Sequence, residues 1–251
     1  MALWARVSAK PLVRVAGRPM AQHVLETLAG AGLFDEIRVM SQNSSRLQAE
    51  LAPVLPDGAA ISFHDSADGI AETIDALVAD VDGPLLVTTA DHVLLTFEML
   101  QDFLARARDA DLAVGLVERR VLHAAHPGSE RTWLRFRGGA YSGANLFWIG
   151  SARARPLIAL WRTVEQDRKR GWKVIAAFGP VVLAGAALGL LTLERAVARV
   201  ARRFGIDIRP VLLDQPEACI DVDTVADLRL AEQILFDRRV AAEEPLPRAA
   251  E

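Results

Sequence analysis

The sequence predicts an α/β fold: a mainly parallel sheet with helices on both faces, joined by a small antiparallel element and a helical subdomain. Two observations carry this. Apolar runs of strand length alternate with segments of helical period, an order that implies right-handed crossovers and parallel neighbours. The run at 84–90 is nearly all apolar, as a strand covered on both faces is. At 251 residues, 51% of them hydrophobic, the chain can bury a sizeable core. The expected organisation is one domain over 1–236, with a subdomain at about 120–205 and a tail at 237–251.

Met20, Val24, Leu25 and Leu28 share one helical face directly after Pro19, whose fixed φ suits a first turn. Strands at 36–40, 60–63 and 84–90 follow, with helical segments between them. Thr96 offers an N-cap to a second apolar face made by Phe97, Leu100, Phe103, Leu104 and Ala107, and a strand at 111–117 comes next. Beyond about residue 118 the pattern changes. Strands at 132–136 and 141–149 are joined by a turn at Gly138-Gly139, which makes an antiparallel element. Residues 151–204 read as mainly helical, 206–213 as a strand and 219–222 as a short strand. In the helix at 224–236, Asp227 stands three residues after Thr224, the capping-box spacing. The tail carries charge, Pro245 and Pro247, and is expected to fray.

With Lys+Arg 29 against Asp+Glu 32, the formal charge of -3 lacks the basic excess of a phosphate-backbone binder, so nucleic acid is not an expected partner. Cys219 has no second cysteine to pair with, and five scattered histidines give no zinc framework. A reducing, cytoplasmic setting fits. The first ten residues lack the apolar core of a signal peptide. Residues 174–193 form an uncharged run of 20, but Pro180, Gly179, Gly185 and Gly189 interrupt it. It is expected as two short helices or a broken one buried in the fold, not as a membrane span. His123 and His126 have helical metal spacing but no third ligand, and are discounted.

Ligands of open parallel sheets bind beyond the carboxyl ends of the strands. The segment Leu85-Leu86-Val87-Thr88-Thr89-Ala90-Asp91-His92 delivers one carboxylate to such a place, where it can hold Mg²⁺ or simply cap a turn. A second acidic segment, Asp221-Val222-Asp223-Thr224, puts Asp221 and Asp223 on one face by strand alternation. Either aspartate could complete a metal site with Asp91, and Asp223 or Thr224 could equally cap the following helix.

These residues resemble a family. Lys10-Pro-Leu-Val-Arg-Val-Ala-Gly17-Arg-Pro19-Met20, the strand ending in Thr-Ala-Asp91 and Val-Asp223-Thr-Val-Ala-Asp227-Leu228 are similar to the MobA-like nucleotidyltransferases over roughly 10–236. The resemblance implies a GT-A-like, Rossmann-type fold that couples an NTP to a phosphorylated small-molecule acceptor and releases pyrophosphate. It implies Lys10 on the phosphates, Asp91 and Asp223 on Mg²⁺ with Asp221 beside them, and Ser66, Gly69 and Thr73 at the base and ribose. On the acceptor side, the residues themselves put Arg131, Ser142, Gly143 and Asn145 on paired strands, and Lys169 and Lys173 in a cationic cluster that suits a phosphate or, equally, a solvated helix end. The family opens with a strand and a Gly-rich phosphate loop that the first nine residues here do not carry. The expectation is a true start further upstream, with a truncated, non-catalytic nucleotide-binding protein as the rival. A nucleotide-sugar glycosyltransferase is the enzymatic alternative.

Overall fold

A computed structural model describes residues 9–56, 58–165 and 190–243. The chain opens with a 3-10 turn at Lys10–Leu12 and a hairpin of β1 (Arg14–Val15) and β2 (Arg18–Pro19). There follow α1 (Met20–Ala31), β3 (Ile37–Ser41), α2 (Ser44–Leu51), β4 (Ile61–Asp65), α3 (Ile70–Asp80), β5 (Leu85–Val87) and α4 (Phe97–Ala107). The second half comprises β6 (Leu112–Glu118), α5 (Arg119–Ala125), β7 (Leu134–Phe136), β8 (Gly139–Ile149), α6 (Arg155–Glu165), α7 (Leu193–Phe204), β9 (Ile208–Leu213) and α8 (Val225–Glu243).

The α/β class holds, and the sheet is mixed. A five-stranded sheet runs β5-β8-β6-β9, with β7 also paired to β8. Strand β8 is antiparallel to both β5 and β6, and β9 is parallel to β6. Strands β5, β6 and β9 therefore all point the same way, and the antiparallel element lies inside the sheet. Strands β3 and β4 form a separate parallel pair.

Strand alternation sorts the core into layers. Leu86, Ala113, Val117, Leu146, Val211 and Leu213 pack on one face with Val24, Leu100, Phe103 and Leu228 from α1, α4 and α8. On the other face Leu85, Val87, Leu112 and Ile149 meet Ile74 of α3 and Ile158 of α6. There too Val114, Leu116 and Leu212 meet Leu193 and Val197 of α7. Helix α1 also serves the smaller sheet, since Ala21 and Leu25 pack with Leu47, Leu51, Val39 and Phe63.

Several expectations are corrected. Strand β5 stops at Val87, and its three residues are half-buried, because one edge pairs with β8 and the other has no strand partner among the described residues. Residues 219–222 are no strand: Pro216–Cys219 is a 3-10 turn, after which the chain runs extended without a ladder. Pro19 ends β2 one residue ahead of the first turn of α1. Arg119–Ala125 form a helix where no element was expected. Helix α8 continues through 237–243, which were expected to fray. The expectations for 1–8, for most of 174–193, for Lys169 and Lys173, and for 244–251 lie outside the described residues. Among the described residues, no helix is long and apolar enough to cross a membrane.

Candidate active site

The loop after β5 is rooted by apolar side chains. Val93, Leu94 and Leu95 are buried, the His92 amide donates to the Thr89 carbonyl at 3.2 Å, and Thr96 caps α4 through the Met99 amide at 3.3 Å. Asp91 is thereby held at the tip of a short turn. In the second acidic segment Ile220 and Val222 are fully buried, so alternation presents Asp221 and Asp223 together on the other side. The two segments are joined directly: the Val222 amide donates to the Asp91 carbonyl at 3.1 Å. That bond is how carboxylates 132 positions apart in sequence meet beyond the carboxyl ends of β5 and β9.

Lys10 completes the centre, its Nζ hydrogen-bonding Asp91 Oδ2 and Asp223 Oδ1 together. Leu12 and Val13 are buried just after it and anchor the turn that carries it. Burial works against the Lys10 charge, but its bonds to Asp223 and Asp91 outweigh that and raise its pKa. The bond from Lys10 holds Asp223 below the usual carboxylate range. Burial, followed by the like charges of Asp223 and Asp91, holds Asp221 above it.

The donor set suits a hard divalent cation. Asp91, Asp221 and Asp223 each offer a carboxylate oxygen, and the three oxygens lie within 4.8 Å of one another. With Asp227, four carboxylates face the two cations Lys10 and Arg131, an excess of negative charge when all are ionised. Asp91, Asp223 and Asp221 are the residues that would hold the ion.

Arg131, expected on the acceptor side, is instead buried behind the acidic loop with its side chain only 7% exposed. Its Nη1 donates to the Asp221 carbonyl at 3.2 Å and to Asp221 Oδ1 at 3.0 Å, and its Nη2 donates to Asp227 Oδ1 at 2.8 Å. The other oxygen of Asp227 accepts from the amides of Asp223 at 3.2 Å and Thr224 at 2.8 Å, while Thr224 Oγ1 accepts from the Asp227 amide at 3.2 Å. The capping box is formed, and Arg131 ties it to the acidic loop. The spacing of Thr224 and Asp227 signals the cap. Nothing local signals Arg131, whose partners lie 90 and 96 positions away.

The remaining candidates divide. Ser142, Gly143 and Asn145 lie on β8 toward the end of the sheet where β6 finishes, Ser142 pairing with Val117 and Gly143 with Leu116. Val87 pairs with Phe147, so Asn145 stands two residues beyond the last paired position of β5, toward Asp91. Val114 pairs with Phe147 but Leu116 with Gly143, which leaves Ala144–Leu146 opposite Gly115 alone. At this bulge Asn145 has φ 48°, a left-handed conformation that asparagine tolerates better than most residues. A Cβ on Gly115 would lie 3.2 Å from the Leu146 Cβ and 3.3 Å from the Ala144 Cβ, a tight fit that these neighbours would have to yield to. Ser66 and Gly69 lie in the loop between β4 and α3, and Thr73 in α3. The Ser66 amide donates to the Ser41 carbonyl at 2.8 Å, and Thr73 Oγ1 donates to the Gly69 carbonyl at 2.8 Å while accepting from the Ala67 amide at 3.1 Å. His126 bonds Glu217 at 2.8 Å and His123 lies edge-on to Trp133, away from any metal cluster among the described residues. The Cys219 thiol is buried, and its pKa is pushed up to about 12, which leaves it unreactive.

A family model for the MobA-like NTP transferase domain matches residues 6–185. This chain belongs to the MobA-like NTP transferase family. A hypothetical transferase from Thermus thermophilus is 32% identical, with 90% of this chain and 94% of that one covered at a TM-score of 0.75. More distant matches share the fold of this MobA-like chain. CMP:2-keto-3-deoxy-manno-octonic acid synthetase complexed with CTP is 15% identical, covering 91% of this chain and 92% of that one at a TM-score of 0.56. The 4-diphosphocytidyl-2C-methyl-D-erythritol synthase of Anaerococcus prevotii is 11% identical, covering 91% and 90% at a TM-score of 0.54. The acidic centre built by Lys10, Asp91 and Asp223 thus stands on a nucleotidyltransferase fold.

Proposed function

We propose that the chain transfers a nucleoside monophosphate from an NTP to a phosphorylated small-molecule acceptor. An acceptor phosphate oxygen attacks the α-phosphorus in line, the bond to the bridging α–β oxygen breaks, and pyrophosphate leaves with that electron pair. The observation that carries this reading is the meeting of Lys10, Asp91 and Asp223 beyond the carboxyl ends of parallel strands. No general base is needed, since the attacking phosphate is already an anion at neutral pH.

Each residue has a role in this reading. Lys10 stabilises charge developing on the phosphates. Asp91 and Asp223, with Asp221, hold Mg²⁺, which when bound supplies charge neutralisation at the α-phosphate. Arg131 and Asp227 position Asp221 and Asp223 through the loop bonds described above. Ser142, Gly143 and Asn145 serve the acceptor side. Ser66, Gly69 and Thr73 lie on the base and ribose side, and Lys169 and Lys173 contribute cations for the acceptor phosphate.

The test is a screen of the four NTPs against phosphorylated alcohols, sugars and cofactors with Mg²⁺, read by pyrophosphate release and by the mass of the NMP-bearing product. At least one pair should give both signals in equal amounts. Release of a nucleoside diphosphate from a nucleotide sugar, with no pyrophosphate from any pair, would replace this reading with glycosyl transfer.

A further inference from the structure

Lys10 stands where a second cation would have to enter. Its ammonium bonds one oxygen of Asp91 and one of Asp223 at the same time, and these are two of the three carboxylates whose oxygens cluster within 4.8 Å. A divalent cation that took both aspartates would share that space with a like charge, so one of the two must leave. Lys10 is able to leave. Its backbone is fixed by buried Leu12 and Val13, but its side chain is 36% exposed, and a lysine stem turns about several single bonds. Asp223 is 60% exposed, so the far side of the pair opens to solvent and to a ligand arriving from it.

We propose that Lys10 is an internal counter-ion that excludes a free divalent cation from Asp91 and Asp223 until a triphosphate arrives to take the ammonium in exchange. This rests on the metal-dependent reading of the site and adds an order of events to it. Without nucleotide, the lysine offsets part of the charge of the two aspartates and bridges the acidic loop and the β5 loop. With nucleotide, the phosphates offer the ammonium a new anionic partner, and the aspartates are released for the ion that travels with the NTP. Cation and nucleotide then bind with positive coupling, and each raises the affinity for the other by the same factor.

The test is Mn²⁺ binding to the full chain without nucleotide, by calorimetry, for the unaltered protein, Lys10→Met and Lys10→Arg. Lys10→Met should bind Mn²⁺ at least about 10-fold tighter, within the usual range of such couplings. Lys10→Arg, which keeps the positive charge, should bind like the unaltered protein. Lys10→Met should at the same time lose NTP turnover, so that one substitution improves metal binding and harms catalysis. Equal or weaker Mn²⁺ binding by Lys10→Met overturns the proposal, as does a failure of Mn²⁺ to bind either protein. A gain in Mn²⁺ affinity in a chain that releases no pyrophosphate would keep the counter-ion role and overturn only the proposed reaction. Should Lys10→Met not fold because three carboxylates are left facing one another, Lys10→Gln serves in the same assay. If that also fails, Mn²⁺ should restore folding to both variants, and failure to do so counts against the proposal.

Discussion

His23 shows how one side chain can be committed to a single protonation state. It is 5% exposed, its Nδ1 lies 3.1 Å from Arg18 Nη2 and its Nε2 lies 2.9 Å from the Val15 carbonyl. A guanidinium only donates, so Nδ1 accepts from Arg18 and Nε2 carries the proton given to Val15. The neutral imidazole alone satisfies both bonds. Burial pushes its pKa below the ordinary 6.5, and the Arg18 charge adds to this against the opposing pull of Val15 and Glu26. A depressed histidine pKa leaves the unfolded chain with more bound protons below pH 6.5, so this contribution is present above that value and is lost as pH falls toward the folded pKa. The urea midpoint should therefore drop between pH 7 and pH 5.5, and drop less in His23→Gln. Equal slopes in the two proteins would mean that His23 does not couple to folding.

The hairpin of β1 and β2 accounts at the level of an element for much of the family resemblance. Val15 pairs with Arg18, leaving Ala16 (φ 48°) and Gly17 (φ 83°) as a two-residue tip with positive φ at both positions, the arrangement that matches strand twist. The Ala16 amide donates to Glu232 of α8 at 3.1 Å, which pins the tip, and the Met20 amide donates to the Val13 carbonyl at 2.9 Å, which sets the entry to α1. A Cβ on Gly17 would meet nothing within 4 Å, so backbone conformation and not crowding demands the glycine. Gly17→Ala should destabilise by about 1–2 kcal/mol, the cost of a left-handed conformation for a side-chain-bearing residue. Ala16→Gly should stabilise by up to about 1 kcal/mol once its greater unfolded-state entropy is deducted. Thermal or urea unfolding of both variants checks the opposite signs, and two changes of the same sign would contradict this reading of the tip. This hairpin was not expected from the sequence, but other elements were legible because their signals are local. Thr96, the Thr224-Asp227 box and the period of α1 and α4 all act within a few residues. The mixed sheet was not legible, because nothing in 139–149 says that β8 inserts between β5 and β6. Nor was the turn at Pro216–Cys219, where alternating burial at Ile220 and Val222 imitates a strand without a partner.

At the scale of the molecule, three strands of one direction bring their loops to one end, and a single backbone bond from Val222 to Asp91 closes the two acidic segments on Lys10. Asp91 was foreseeable as a strand-end aspartate, whereas Asp221 and Asp223 were expected at the end of a strand that does not form; they follow the 3-10 turn beyond β9 and reach Asp91 through the Val222 bond. Arg131 could not be placed from sequence, since a buried guanidinium and a ligand-facing one look the same in a string of residues. The proposed reaction requires that Asp91 be held for chemistry and not for the fold. Its crowding with Asp221 and Asp223, which costs stability unless cations offset it, supports that reading. The direct measurement is Mg²⁺-dependent pyrophosphate release by Asp91→Asn beside the unaltered chain, with the thermal midpoint of each. Turnover should fall by at least about 100-fold, the scale seen when one electrostatic group is removed from a reacting centre, while the midpoint stays level or rises. Full turnover in Asp91→Asn, or loss of turnover only because the variant unfolds, would make Asp91 a structural residue and contradict the account.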